Sequence, residues 1–207
     1  EKLTNLEECQ NTCPLNAITK DGKIDLGKCT FCGECERVSN GAISFTREHR
    51  YSATKRKDLI INGKINPIVA KKEIKKIFGQ SLKLRQVSAG GCNACEMELN
   101  ACSNANFDMG RYGIEFVASP RHADGIVITG PVTKNMAKAL EDTLLSTPEP
   151  RIIIAVGACA ISGGIYADSE EIDRDFFKKY PPDLYIPGCP AHPLTIINGI
   201  LDYLGCK

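Results

Sequence analysis

The hydrophobic pattern changes character along the chain. Residues 51–65 hold no strong period. From Leu82 onward, short apolar runs and helix-period stretches take turns. Leu82, Leu84 and Val87 alternate with polar residues as in a strand. Residues 115–118, Gly125–Thr129, Ile152–Val156 and 183–186 read as buried strands. Residues 94–103, 133–145 and Pro193–Leu204 read as helices between them. This alternation predicts an α/β domain over 81–207 with a mostly parallel sheet. Ahead of it, Asn66-Pro67 reads as a helix start and Gly79 as its stop, with Ala70, Ile74, Ile77 and Phe78 on one face. This short helix is expected to dock on the α/β domain.

Composition adds one unusual feature. The chain has 207 residues, 43% apolar and 25% charged, with a formal net charge of +1. That balance gives no global pull toward nucleic acid or membrane. No secretory leader pattern is present, and no apolar run approaches the roughly 18 residues of a membrane span. Eleven cysteines stand out. In a cytoplasmic setting, clustered cysteines favour metal or redox chemistry over structural disulfides. Charge is uneven too: between Arg47 and Lys76 there are ten Lys/Arg and three Asp/Glu. That stretch, 47–80, reads as a basic linker, either a solvated face or a strap for an acidic partner or anionic lipid.

Residues 1–46 hold five of the cysteines. Cys29, Cys32 and Cys35 place three thiols in seven residues. Zinc sites pair their ligands two by two, whereas three in one loop suit three corners of an iron–sulfur cube. The segment resembles a two-cluster ferredoxin, whose run C-x2-C-x2-C-x3-C-P lends its fourth cysteine to the other cluster. Cys13-Pro14 and Ser39-Asn40 occupy the two fourth positions. By that resemblance, one cluster would use positions 3, 6, 9 and 39. Leu3, Leu6 and Ser39 stand there beside Cys9, so that cluster is expected to be lost. The other would use Cys13, Cys29, Cys32 and Cys35, all present. A small α+β ferredoxin-like domain with one 4Fe–4S cluster is therefore expected over 1–46, with zinc at the same four cysteines as the alternative.

The remaining chemistry sits at strand ends. Cys92 and Cys95, at C-x2-C spacing, follow the first strand through Gly90-Gly91. Alone, such a pair can hold zinc, an iron–sulfur cluster or a disulfide, or can simply be core cysteines. Cys159 follows Ile152–Val156 through Gly157-Ala158, and Cys189 follows 183–186 through Pro187-Gly188. Parallel sheets place their sites outside the carboxyl ends of strands, so three loops on one rim would deliver four thiols. The neighbouring glycines leave room for a cube and for N–H groups near its sulfurs.

Taken together, 91–98 (GCNACEME), 119–124 (SPRHAD), 129–133 (TGPVT), 157–165 (GACAISGGI) and 186–190 (IPGCP) resemble the small subunit of membrane-bound, energy-converting nickel–iron hydrogenases. Formate hydrogenlyase belongs to that group, and the B subunit of respiratory complex I is a relative. The resemblance runs across most of 85–205. It implies a flavodoxin-like fold, with Cys92, Cys95, Cys159 and Cys189 as ligands of the 4Fe–4S cluster nearest a catalytic large subunit. Complex I B subunits carry adjacent cysteines at the first motif and commonly Gln where this chain has His122, so both positions lean toward hydrogenase. The fused ferredoxin-like segment departs from that group, where such domains are commonly separate chains.

The implied function is a two-cluster electron wire. Electrons would pass between a ferredoxin- or formate-linked donor and the nickel–iron centre of a partner large subunit, in either direction. The catalytic centre would lie in that partner, and other electron-transfer subunits would complete the path. The chain would sit peripherally on the cytoplasmic side of a membrane, held through its partners. A complex I-like module reducing quinone or another carrier, a zinc-stabilised interaction module and a free-standing ferredoxin are the rivals. Cys102 and Cys206 fit no motif and are expected to be unligated. His122 and His192 are expected to be structural or interfacial, His49 lies in the basic stretch, and Arg121 is a candidate polar contact to the partner. Glu96 and Glu98 are expected on a helix surface, with a proton path at the partner interface as the alternative.

Overall fold

A computed structural model describes residues 5–79 and 81–206. The first part of the chain has few regular elements: helix α1 (Leu6–Thr12), strand β1 (Ile24–Asp25), helix α2 (Glu34–Val38), strand β2 (Ile60–Ile61) and helix α3 (Lys72–Phe78). β1 and β2 pair antiparallel, so the 47–80 stretch contributes a strand to the small sheet. Then follow β3 (Leu82–Ser88), α4 (Ala94–Ala101), β4 (Ile114–Phe116), β5 (Gly125–Thr129), α5 (Lys134–Ser146), β6 (Ile152–Val156), α6 (Ala158–Ser162), α7 (Phe176–Lys179), β7 (Leu184–Ile186) and α8 (Pro193–Leu204).

These five later strands form one parallel sheet in the order β4-β3-β5-β6-β7. That is the flavodoxin-like order, with its switch point between β3 and β5. The central strands β5 and β6 are buried at every position, as continuous apolar runs in a two-sided parallel sheet must be. Side-chain alternation divides the core. Val127, Ile152 and Ile154 pack with Leu99, Ile196 and Ile200 on the face covered by α4 and α8. Ile126, Ile128 and Ile153 pack with Leu140, Leu144 and Phe176 under α5 and α7. α8 is sharply bounded: His192 Nδ1 accepts the Leu194 N–H at 3.1 Å, Pro193 fills the first turn, and Gly205 ends it at φ +69°.

α3 is shorter than the Asn66-Pro67 signal predicts. Its chain enters extended at Lys71: Val69 is 86% exposed, while Ile68 packs against the core from a non-helical backbone. Phe78 is buried and Ile74 half-buried against the core that includes α8, but Ile77, expected on the same face, is 52% exposed.

The basic stretch is used within the chain. Residues 49–53 form a strap in which each residue engages β7 or α8. His49 stacks on His192 with ring centroids 4.9 Å apart. Arg50 pairs with Asp202 at 2.8 Å. The Tyr51 hydroxyl accepts a hydrogen bond from Thr195 Oγ1 at 3.3 Å. Ser52 lies against Gly199. Ala53 exchanges two backbone hydrogen bonds with Tyr185, at 3.0 and 2.8 Å. Farther along, Arg56 pairs with Asp25 and Lys75 Nζ donates to the Gly205 carbonyl.

The Ser52–Gly199 contact is tight enough to test. A Cβ on Gly199 would lie 2.9 Å from Ser52 Cβ and closer still to its Oγ. Replacing a helix-interior glycine with alanine gains about 1 kcal/mol of propensity. Overpacking here costs about 1–3 kcal/mol, and the Ser52 Cβ it meets can yield only if the strap itself shifts from α8. Gly199→Ala is expected to lower stability in urea unfolding, and Ser52→Gly in the same chain to restore it. An unchanged midpoint in the single variant would contradict the close packing.

Candidate metal centres

The four cysteines of the first part converge. Cys13 follows α1, Cys29 and Cys32 lie on the loop before α2, and Cys35 is in the first turn of α2. The loop is coiled tightly, with Phe31 at φ +57° and Gly33 at φ +81°, which keeps all three of its thiols on one side. One small cavity is lined by Cys13, Cys29, Cys32 and Cys35 together. Two sulfurs already accept backbone hydrogen bonds: Ala17 N–H to Cys13 Sγ at 3.2 Å and Phe31 N–H to Cys29 Sγ at 3.3 Å. Burial pushes the Cys29 thiol up to about 11, with Cys35, Cys13 and Cys32 adding to the rise. Cys35 is raised by burial and then by Cys13 and Cys32.

The positions of the expected lost cluster are packed with protein. Cys9 is fully buried with Ile18 and Ile43, and Leu6 packs against them. Ser39 is fully buried, its hydroxyl bonding the Glu36 and Ile43 carbonyls and accepting the Ile43 N–H. Leu3 lies outside the described residues.

The second set gathers at the carboxyl rim of the parallel sheet, beside the switch point. Cys92 follows β3 and Cys95 is in the first turn of α4, on either side of Asn93 at φ +69°. Cys159 is in α6 directly after β6, and Cys189 follows β7. Cys92 and Cys189 are exposed, Cys95 and Cys159 half-buried. Burial pushes Cys95 up to about 12, with Glu96, Cys159 and Cys189 contributing. Cys159 is raised by burial and then by Cys189 and Cys92, and Cys189 by burial and then by Cys92.

Backbone without side chains makes the space. Gly157 (φ +90°) would put a Cβ 2.5 Å from Cys95 Sγ, and Gly164 (φ +55°) one 2.6 Å from Cys159 Sγ. Gly91 and Gly130 press backbone to backbone, a Cβ on Gly91 reaching within 2.8 Å of Gly130 Cα, which brings the β3 and β5 loops together. Both donor sets are purely sulfur. Burial disfavours the thiolate at Cys29, Cys35, Cys95, Cys159 and Cys189, so loading either set would release protons. The glycine cradle and the all-thiol donors fit a thiolate-held iron–sulfur group. Among the described residues, no three of His, Cys, Asp or Glu close around a single ion.

The other candidates fall out as follows. Glu96 is not on the helix surface: it is 6% exposed, and Thr129 Oγ1 donates to its Oε1 at 2.7 Å. Its spacing to Leu99 and Cys102, both fully buried, places it on the inward face of α4. Glu98 is half-buried. Cys102 donates to the Glu98 carbonyl and Cys206 to the Gly79 carbonyl, both at 3.2 Å. His192 caps α8, while Arg121 and His122 are exposed on a turn at Pro120–His122. A larger cavity of about 590 Å³ adjoins the first set, lined among others by Cys29, Phe31, Phe45, Tyr51, His49 and His192. The strap and this aromatic lining were not foreseen from sequence, because residues 51–65 carry no period to reveal them.

The chain is similar to several known proteins. A probable membrane-bound hydrogenase subunit of Pyrococcus furiosus is 36% identical over 126 residues, 61% of this chain and 75% of its own length. Formate hydrogenlyase subunit 7 of Escherichia coli is 41% identical over 135 residues, 65% of this chain but 53% of its own length. An NADH-quinone oxidoreductase chain of the B type, from Citrifermentans bemidjiense, is 41% identical over 111 residues, 54% of this chain and 65% of its own length. Among solved structures, a chain of the membrane-bound sulfane sulfur reductase, an archaeal respiratory membrane complex, matches with a TM-score of 0.55 and 31% identity, covering 64% of this chain and 73% of that one. Residues 92–203, which begin at the first rim thiol and contain all four, match the family described as NADH ubiquinone oxidoreductase, 20 Kd subunit. The chain belongs to that family of complex I and hydrogenase subunits.

Proposed function

We propose that the chain is an iron–sulfur electron-transfer subunit with two 4Fe–4S clusters. One is held by Cys13, Cys29, Cys32 and Cys35 in a ferredoxin-like domain over 1–46, the other by Cys92, Cys95, Cys159 and Cys189 in the domain over 81–207. The observation that carries the reading is the rim set: three loops bring four thiols to the switch point, and glycines stand where any Cβ would strike a sulfur. When bound, such a cluster takes up and releases single electrons. The chain's own groups shape that exchange. N–H donors at Ala17 and Phe31 stabilise charge on Cys13 and Cys29. The buried Glu96–Thr129 pair backs the Cys95 loop.

The partner we propose is a large subunit with a nickel–iron centre, reached through the rim. Cys92 and Cys189 are exposed there, and Met97, Ile165 and Leu194 are exposed apolar residues on the same loops or the helices they open. Such a surface suits burial against another chain. Among the described residues no helix is long and apolar enough to cross a membrane, so membrane association would come through partners. The C-x2-C spacing at Cys92 and Cys95, instead of adjacent cysteines, supports the hydrogenase reading. A complex I-like chain reducing quinone or another carrier without nickel is the second reading, supported by the match to an NADH-quinone oxidoreductase chain.

Anaerobic analysis of the native complex for iron, acid-labile sulfide, zinc and nickel separates these. Iron and sulfide with nickel is the expected result. Iron and sulfide without nickel would favour the quinone-type reading, and zinc without sulfide would refute the electron-transfer assignment.

A further inference from the structure

We propose that the 49–53 strap is the bridge by which electrons cross between the two four-thiol centres, with Tyr51 as its central positioning residue. The proposal rests on the two-cluster reading above. It starts from the arrangement of contacts. Phe31 donates its N–H to Cys29 Sγ at 3.3 Å, so its backbone touches a thiol of the first set. The Phe31 ring is stacked on Tyr51, with centroids 5.5 Å apart and planes at 28°. The Tyr51 hydroxyl is held by Thr195 Oγ1 at 3.3 Å, and the Thr195 N–H donates to the His192 carbonyl at 2.8 Å. His192 lies three residues beyond Cys189, a thiol of the second set. Each step is a covalent bond, a hydrogen bond or a ring stack.

The strap also fixes the geometry of this route. Arg50 on Asp202, Ser52 on Gly199 and the paired hydrogen bonds of Ala53 to Tyr185 hold Tyr51 from both sides. Electronic coupling through protein weakens wherever packing gives way to a gap or to water. Tyr51 stands at the wall of the 590 Å³ cavity that adjoins the first set. Its ring therefore decides whether the route is filled or open. In the step itself one centre loses an electron and the other gains it. No bond is made or broken, and Tyr51 stays a neutral phenol. A competing route exists: Gly27, two residues before Cys29, lies against Ile161 of the helix that carries Cys159. It crosses between the two segments through an aliphatic contact, with no ring stack or hydrogen bond at that step.

The test compares the native complex with complexes carrying Tyr51→Phe, Tyr51→Leu and Phe31→Leu. Two quantities are read by electron paramagnetic resonance: the lag between reduction of the two centres after rapid mixing, and their magnetic interaction when both are reduced, which reports their separation. Tyr51→Leu is expected to lengthen the lag several-fold, because the aromatic ring that fills the step is removed. Tyr51→Phe keeps the ring, loses only the link to Thr195, and is expected to lengthen the lag less. The magnetic interaction is expected to stay as in the wild type. Phe31→Leu, on the other side of the stack, tests the same step should Tyr51→Leu not assemble. An unchanged lag with both centres loaded would overturn the bridge and favour the Gly27–Ile161 route. A longer lag with an altered magnetic interaction would also overturn it, since the strap would then only set the separation. A wild-type complex with a single iron–sulfur signal from this chain would refute the two-cluster reading itself.

Discussion

Gly157→Ala is expected to remove the rim centre and leave the other loaded. Two costs add at this position. The backbone lies at φ +90°, ψ 154°, a region that is essentially glycine's alone, and forcing another residue there costs about 1–3 kcal/mol. The new Cβ would also sit 2.5 Å from Cys95 Sγ. Cys95 cannot swing aside freely, since it lies at the start of α4 and packs against the core. The sulfur must therefore shift relative to the other three thiols of the proposed set. Iron and acid-labile sulfide should fall by about half, the expected loss of one of two equal clusters. The spectrum that survives should belong to the set around Cys29. Full iron content in this variant would mean that Cys95 is not a ligand. The same argument, applied to Gly164 and Cys159, provides an independent repeat on a different loop.

Asp25→Ala is expected to give the largest loss of folding stability among single changes in the first part of the chain. Asp25 is 6% exposed and accepts both arms of the Arg56 guanidinium, each at 2.8 Å, as well as the Gly27 N–H at 2.9 Å. Its own carbonyl accepts the Cys29 N–H at 3.0 Å, so the residue anchors the turn that presents the first loop thiol. Removing one partner of a buried pair costs about 3–5 kcal/mol because the other charge is stranded. The Arg56 side chain is 31% exposed, and water recovers part of that. A loss of about 2–3 kcal/mol is expected in urea unfolding. Asp25→Asn, which keeps an acceptor for Gly27, should lose less. A loss within error of zero in the alanine variant would show that the pair contributes little net stability.

The α/β part was legible because its signals are redundant. Gly125–Thr129 and Ile152–Val156 were bounded correctly, since five consecutive apolar or small residues between turn signals leave one economical reading: a strand buried on both faces. The edges were less exact. The strand expected at 115–118 begins at Ile114 and ends at Phe116, because an edge strand has one neighbour to fix its register. The rim position of Cys92, Cys95, Cys159 and Cys189 followed from topology alone. In the first part, cysteine spacing was the only signal behind the proposed four-thiol set.

Three features stayed hidden for separate reasons. The start of α3 was misplaced because Pro67 is equally content in an extended chain, and propensity could not show that Ile68 reaches the core from one. Glu96 was read as exposed because a carboxylate usually is. Its burial depends on Thr129 of a different strand, a tertiary fact. The 49–53 strap makes its contacts one residue at a time with a helix more than a hundred positions away, and such contacts leave no period in either segment.

The Ala53–Tyr185 hydrogen bonds bear on solubility as well. β7 is the outermost strand on its side of the parallel sheet. An outer strand offers unpaired N–H and C=O groups to any passing chain, and uncovered edges template aggregation. Here the middle residue of β7 is already matched on its open side, and the flanking strap residues lie over α8 next to it. The stretch that reads as a linker thus also serves as a guard rail on a sheet edge. A chain waiting for its partners would stay monodisperse only while the strap is in place.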